Sequence, residues 1–209
     1  MNAMSKIRNT MRLVVGLAGN TNVRTPCGGR HVANLRAGDL IVTRDAGLRP
    51  VRMVWSRTVT EADMHADPSL APVCLRPRAI GPMMPQRDLI VAGDHRLLIP
   101  GYRLTDQPDT AAALIPAREI AGTSDAAFVD RSRTEMTYYN LVFDAHHVFL
   151  ANGMPVESFL ITEDALAMVE AGVRAGIEEA FPEVAGKAEQ HRPLGYPTAS
   201  RDSYLPEYA

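Results

Sequence analysis

Short runs of strand-forming residues, each closed by a turn signal, follow one another through the first 160 residues of this chain. They lie at 13–15, 39–43, 51–60, 73–76, 88–91, 96–99, 113–115, 137–143 and 148–150. Between them stand Pro26-Cys27-Gly28-Gly29, Asp45-Ala46-Gly47, Gly81-Pro82, Gly93-Asp94 and Asn152-Gly153, residue types that reverse a backbone at low cost. So many short strands with so little room between them exclude a parallel α/β sheet, whose strands need long helical crossovers. The pattern predicts a mostly β, compact and strongly bent all-β fold over residues 13–160, and no repeat of fixed period is present.

The densest stretch is 139–153. Its apolar runs Leu141-Val142-Phe143 and Val148-Phe149-Leu150 flank Asp144-Ala145-His146-His147 and close on Asn152-Gly153. This reads as a tight hairpin with a histidine pair at its bend and a second turn behind it. Strand alternation then sends His146 and His147 to opposite faces, with His146 in solvent.

The character changes after Phe159. Thr162 is placed to cap a helix, Glu163 and Asp164 sit in its first turn, and Leu166, Val169, Val173 and Ile177 recur at helical spacing before Phe181 and the stop at Pro182. Residues 161–182 are therefore expected to form one amphipathic helix docked on the β-domain, although Gly172 and Gly176 weaken it as a free-standing element. Residues 183–209, with Pro193, Pro197 and Pro206, carry no periodicity and are expected to form an irregular tail.

Composition bounds the function. With 209 residues, 46% of them hydrophobic and 22% charged, the chain suits one domain with an appendage. A net charge of −2 gives no general pull toward nucleic acid or anionic lipid, so neither is expected as a partner. The extension 1–12 carries Lys6, Arg8 and Arg12, but the apolar run 13–18 is too short for a signal core or a membrane span. A cytoplasmic protein is expected. Cys27 and Cys74 lack any CxxC spacing, which argues against a disulfide framework or structural zinc.

Four blocks in order resemble a known family. Gly19-Asn20-Thr21-Asn22-Val23-Arg24-Thr25-Pro26 with Gly28-Gly29 looks like an opening strand and turn. His31-Val32-Ala33-Asn34-Leu35-Arg36-Ala37-Gly38-Asp39 looks like a valine-x-x-leucine-x-x-glycine-aspartate signature, with Leu35 anchored in the core, Gly38 in a special backbone angle and Asp39 entering a strand. Arg87-Asp88-Leu89-Ile90-Val91-Ala92-Gly93-Asp94-His95 resembles a block carrying a catalytic histidine, and the stretch 139–153 supplies the last block. Together they resemble the Hedgehog/intein (Hint) self-processing domain in its bacterial stand-alone form.

The resemblance implies a cysteine or serine at the first position, attacking the preceding carbonyl in an acyl shift, with the middle-block histidine assisting at the amide. Here the first position is Gly16, the position three before His95 is Ala92, and Ser158 stands where an asparagine would cyclise. Splicing and N-terminal autocleavage are therefore expected to be absent, and only about fifteen residues precede Gly16. The resemblance further implies that Gly16, His95 and His147 converge on one cleft, with His95 and His147 as vestigial catalytic residues. Asp94, Asp144, Thr21 and Ser158 are the accompanying binding candidates, the two aspartates by their chemistry also capping turns.

Three functions remain open on the sequence. The first is a binding or interaction module without peptide-bond chemistry, needing no cofactor and free to engage a protein partner through its C-terminal helix. The second is residual acyl transfer through Thr21, Cys27 or Ser158. The third is a metal-dependent hydrolase in which His95, His147 and Asp94 or Asp144 supply the ligands. Arg76, Arg78, Arg87 and Arg96 read as a solvated face, and Met83, Met84 and Met168 as packing.

Overall fold

A computed structural model describes residues 14–182, 191, 193 and 195–206. The expected extension 1–12, the first residue of the run 13–15 and most of 183–194 lie outside the described residues. The strands are β1 (Leu17–Ala18), β2 (Asn22–Thr25), β3 (Gly28–His31), β4 (Leu40–Thr43), β5 (Gly47–Pro50), β6 (Met53–Thr60) and β7 (Val73–Leu75). They continue as β8 (Leu89–Val91), β9 (Arg96–Pro100), β10 (Ala112–Pro116), β11 (Ala127–Val129), β12 (Glu135–Val142), β13 (Val148–Ala151) and β14 (Met154–Glu157). Four short α-helices accompany them: α1 (Glu61–Ala66), α2 (Ala117–Ile120), α3 (Glu163–Met168) and α4 (Ala171–Ala180).

The strands form two antiparallel sheets. One has the order β11-β7-β8-β1-β12-β6; the other runs β10-β9-β14-β13-β2-β3, with β4 on β13 and β5 on β4. The main core lies where they face each other: Leu17, Leu75, Leu89 and Leu141 from the first sheet meet Val23, Ile41, Leu97, Phe149 and Val156 from the second. Each large side chain fully removed from water there contributes about 1.5–3 kcal/mol. The all-β expectation holds.

The signature block does what its residues suggested. Leu35 is buried in the main core and Gly38 takes φ +91°. Asp39 accepts from the Arg36 amide at 2.8 Å and from Arg30 at 3.0 Å just before β4 begins. Thr60, the last residue of β6, starts an unexpected helix: with Asp63 it forms a reciprocal capping box that opens α1.

The stretch 139–153 is not the single hairpin expected. Both edges of β12 are already taken, by β6 along all eight residues and by β1 at Tyr138 and Tyr139. The chain therefore leaves β12, crosses at Asp144-Ala145-His146-His147 to the other sheet, and enters β13 there. The real hairpin is β13–β14, whose turn residues Asn152 and Gly153 have φ +50° and +85°, as a type I′ turn requires. Asn152 also fastens this turn, accepting from the Asn22 amide at 2.8 Å and donating to the Asp88 carbonyl at 2.7 Å.

The expected single helix is two. Thr162 caps α3 by accepting from the Ala165 amide at 3.0 Å, but the chain turns extended at Val169 and Glu170 before α4. The break lets Leu166, Ile177 and Phe181 all reach one apolar cluster with Val15, Trp55, Val142 and Phe159. Gly176 lies where a Cβ would stand 3.0 Å from Met53, so α4 can settle closely on β6. The described part of the tail is irregular in shape yet bonded: Leu114 donates to Pro197 and accepts from Ala199, and Leu205 donates to Arg103. Among the described residues no helix is long and apolar enough to cross a membrane.

Candidate functional site

The peptide bond between Val15 and Gly16, just ahead of β1, is held from both sides. Asn140, in the middle of β12, donates from Nδ2 to the Val15 carbonyl at 3.0 Å. The Gly16 amide donates to Nδ1 of His95 at 3.3 Å, and the Gly16 carbonyl accepts from the Ala92 amide at 3.0 Å. His95 is delivered by a turn, its own amide bonded to the Ala92 carbonyl, immediately before β9. Burial lowers its pKa from 6.5 to about 4, so the ring is neutral at physiological pH. Because Nδ1 accepts, the proton sits on Nε2, and that N–H finds no acceptor among the described residues.

A second cluster adjoins the first. Glu157, at the end of β14, is 6% exposed and accepts from Arg96 at three points: the amide at 3.1 Å, Nε at 2.8 Å and the outer nitrogen at 2.6 Å. His146 adds a fourth contact from Nε2 at 3.0 Å. Burial by itself pushes the Glu157 carboxyl up, but the hydrogen bonds from His146 and Arg96 and the Arg96 charge more than reverse it, leaving the group ionised. Arg96 is thus part of a buried network, not of a solvated face.

His147 is engaged elsewhere. Its Nδ1 meets Asp45 at 2.6 Å, Nε2 lies 3.4 Å from Asp144, and the other Asp45 oxygen accepts from the Val148 amide at 2.9 Å. Its backbone is paired with Ser158, whose Oγ accepts from the His147 amide at 2.9 Å and whose own amide donates to the His147 carbonyl at 2.7 Å. These ties lock the crossover against the end of β14.

A cleft of about 340 Å³ opens beside the pinned peptide bond, with Val15, His95, Asn140, Glu157, Ser158 and Met168 among its walls. The structure therefore brings Gly16 and His95 together, as expected, with Asp94 and Ser158 alongside. It does not add His147 to the lining. The histidine of the pair that faces Glu157 is His146, and it is buried rather than solvated because the crossover has no strand alternation to obey. Asp94 pairs with Arg118 instead of capping a turn. Thr21 is buried in the turn after β1 and does not line the cleft, and Cys27 is exposed at the tip between β2 and β3. Among the described residues no three His, Cys, Asp or Glu side chains are grouped to hold a metal.

Asn140, Glu157 and Asp45 carry no role in the sequence reading, which also sends Arg96 and His146 to solvent. A polar Asn140 inside Tyr138-Tyr139-Asn140-Leu141-Val142, and a glutamate closing Met154-Pro155-Val156-Glu157, were the visible signals: each interrupts a run that otherwise belongs in a core.

His95 fixes an expected pH dependence. Its folded pKa of about 4 lies below the ordinary 6.5, so the unfolded chain takes up the proton first as pH falls. Its contribution is whole above 6.5 and lost progressively down to about 4, roughly 3 kcal/mol at 1.36 kcal/mol per pH unit. Burial also lowers the pKa of His191, whose ring is bonded to the Ile161 amide and the Phe143 carbonyl, and this acts in the same direction. Urea unfolding across this range is expected to show the loss, with a shallower slope in His95→Phe; equal slopes in the two proteins would contradict the assignment to His95.

A family profile described as "Hint domain" matches residues 15–163, well over half of the chain. Among solved structures, the gp41-1 intein is 14% identical, covering 68% of this chain and 97% of its own, with a TM-score of 0.38. A DnaB intein from Synechocystis is 12% identical over 69% of this chain and 99% of its own, with a TM-score of 0.45. A bacterial intein-like domain from Clostridium thermocellum is 12% identical over 70% and 99%, with a TM-score of 0.39. No curated protein matches the chain in sequence.

Proposed function

Because the chain belongs to the Hint domain family, we propose that it is a non-cleaving member of that family, a cytoplasmic module that keeps the former reaction centre as a binding cleft. The observation that carries this reading is at Gly16. An ideal Cβ there would stand 2.8 Å from Asn140 Nδ2 and 2.9 Å from the Tyr139 carbonyl, on a backbone with φ +125°. A cysteine or serine side chain could enter that space only if Asn140 and the Tyr139 backbone moved, which supports a centre without the nucleophile of an acyl shift at this position. What remains, a donor on the Val15 carbonyl and a ring nitrogen on the Gly16 amide, could polarise the bond but cannot attack it.

Residual acyl transfer has less support. Thr21 and Cys27 are away from the cleft, and Ser158 spends its oxygen as an acceptor for the His147 amide. The helices α3 and α4 turn their apolar side onto the β-domain, which favours an internal role for them over a partner-binding one.

Intact-mass spectrometry of the full chain after a day's incubation, with and without dithiothreitol or hydroxylamine, tests the reading. One unchanged mass is expected in every arm. Two fragments separated between Val15 and Gly16 would overturn it.

A further inference from the structure

The cleft beside Val15 and Gly16 is chemically lopsided. Val15, Phe159, Leu160, Ala165 and Met168 give it a mainly apolar lining, and its volume of about 340 Å³ falls within the range of small-molecule sites. His95 is among the lining residues, on a ring that is 4% exposed, and its Nε2–H has no acceptor among the described residues. A buried donor without an acceptor is costly, and a native structure normally satisfies it with water or a ligand. The charged groups on the lining set the sign of that ligand. Arg96 is neutralised by Glu157 and Asp94 by Arg118, so the exposed Asp164 is the lining charge without an ion pair among the described residues and leaves the mouth weakly acidic. A carboxylate or phosphate is therefore disfavoured, and a cation would meet an N–H donor where it needs an acceptor.

We propose that this cleft binds an uncharged carbonyl compound with a short apolar group, such as a secondary amide, whose oxygen accepts from His95 Nε2–H. The inference rests on the reading of the centre as non-cleaving, since a His95 exchanging protons with a breaking amide would not keep a fixed Nε2–H for a ligand. The α3 side chains Ala165 and Met168 complete the apolar wall, so α3 contributes to the site instead of merely covering the sheet. Nothing in the binding step moves a proton: the ring stays neutral and Nδ1 keeps the Gly16 amide.

Titration of the full chain with N-butylacetamide, followed by ¹H–¹⁵N spectra of the His95 imidazole, tests it. A saturable shift of the Nε2–H resonance is expected, with hexanoate and butylamine at least tenfold weaker. Met168→Trp, which fills the apolar wall without touching His95, is expected to abolish the shift while the folded spectrum persists. An acetylated, N-methylamidated valine run in parallel shows whether the ligand is a free small amide or a peptide: tighter binding of the capped valine assigns the site to peptide. No saturable shift with any amide, or equal affinity for hexanoate, would overturn the proposal. The intact-mass experiment decides the non-cleaving reading separately, so an uncleaved chain that ignores amides would remove the ligand and leave that reading standing.

Discussion

Gly16→Ala is expected to lower the stability of the domain by about 4 kcal/mol, an unusually large loss for the addition of one methyl group. Two costs add. A non-glycine residue held at φ +125° carries roughly 1–3 kcal/mol of backbone strain. The new Cβ also falls 2.9 Å from the Tyr139 carbonyl and 3.0 Å from the Tyr138 Cβ, and overpacking of this kind costs roughly 1–3 kcal/mol more. Gly38→Ala separates the two. Gly38 has φ +91° but nothing within 4 Å of its would-be Cβ, so it should lose only the strain, roughly 1–2 kcal/mol. Urea unfolding of both variants checks the difference, and similar losses would show that the crowding at Gly16 relaxes freely.

The same geometry predicts what the obvious repair does. Gly16→Cys restores a thiol at the first position of the domain, yet cleavage is not expected to return. The Cβ can enter only if Asn140 Nδ2, 2.8 Å away, withdraws, and that nitrogen is the donor that polarises the Val15 carbonyl. The variant would regain a nucleophile while losing the group that makes its target electrophilic. Intact mass in dithiothreitol reads this directly, and fragments would show that the centre had kept room for a side chain.

The legible parts of this fold were local. Turn residues at Asn152-Gly153, the Leu35-to-Asp39 block and the Thr162 cap are each written within a few neighbouring positions, and each holds. The hairpin expected at 139–153 failed because strand partners are a property of the whole sheet. No local pattern says that β12 has both edges filled by β1 and β6, one of them supplied by residues more than a hundred positions earlier. The placement of the site candidates follows the same rule. His95 stands in a local block that sets it beside Gly16, whereas Asn140 acquires its contact from Val15, 125 positions away, and His147 turns to Asp45, 102 positions away. The resemblance points to His147 and strand alternation sends His146 to solvent, but the crossover there is not a strand.

Glu157→Leu is the second large effect expected, about 3–5 kcal/mol, because it takes the shared acceptor from four donor atoms on Arg96 and His146 rather than removing one contact. The carboxylate takes hydrogen bonds from the Arg96 amide and guanidinium and from His146, on a side chain 7% exposed. Deleting one partner of a buried ion pair leaves the other charge uncompensated, which is where most of the cost arises. Glu157→Gln should recover little, since Arg96 and His146 present donors to both oxygens and an amide NH₂ must face one of them. The discriminating variant is the double one. With Arg96→Met added to Glu157→Leu the stranded charge disappears, and a good part of the loss should return, although the contact between His146 and Glu157 is still gone. A double variant no more stable than the single one would mean that the network contributes through shape alone. In that event the buried charge beside His95 would not be the reason this end of β14 ends in glutamate.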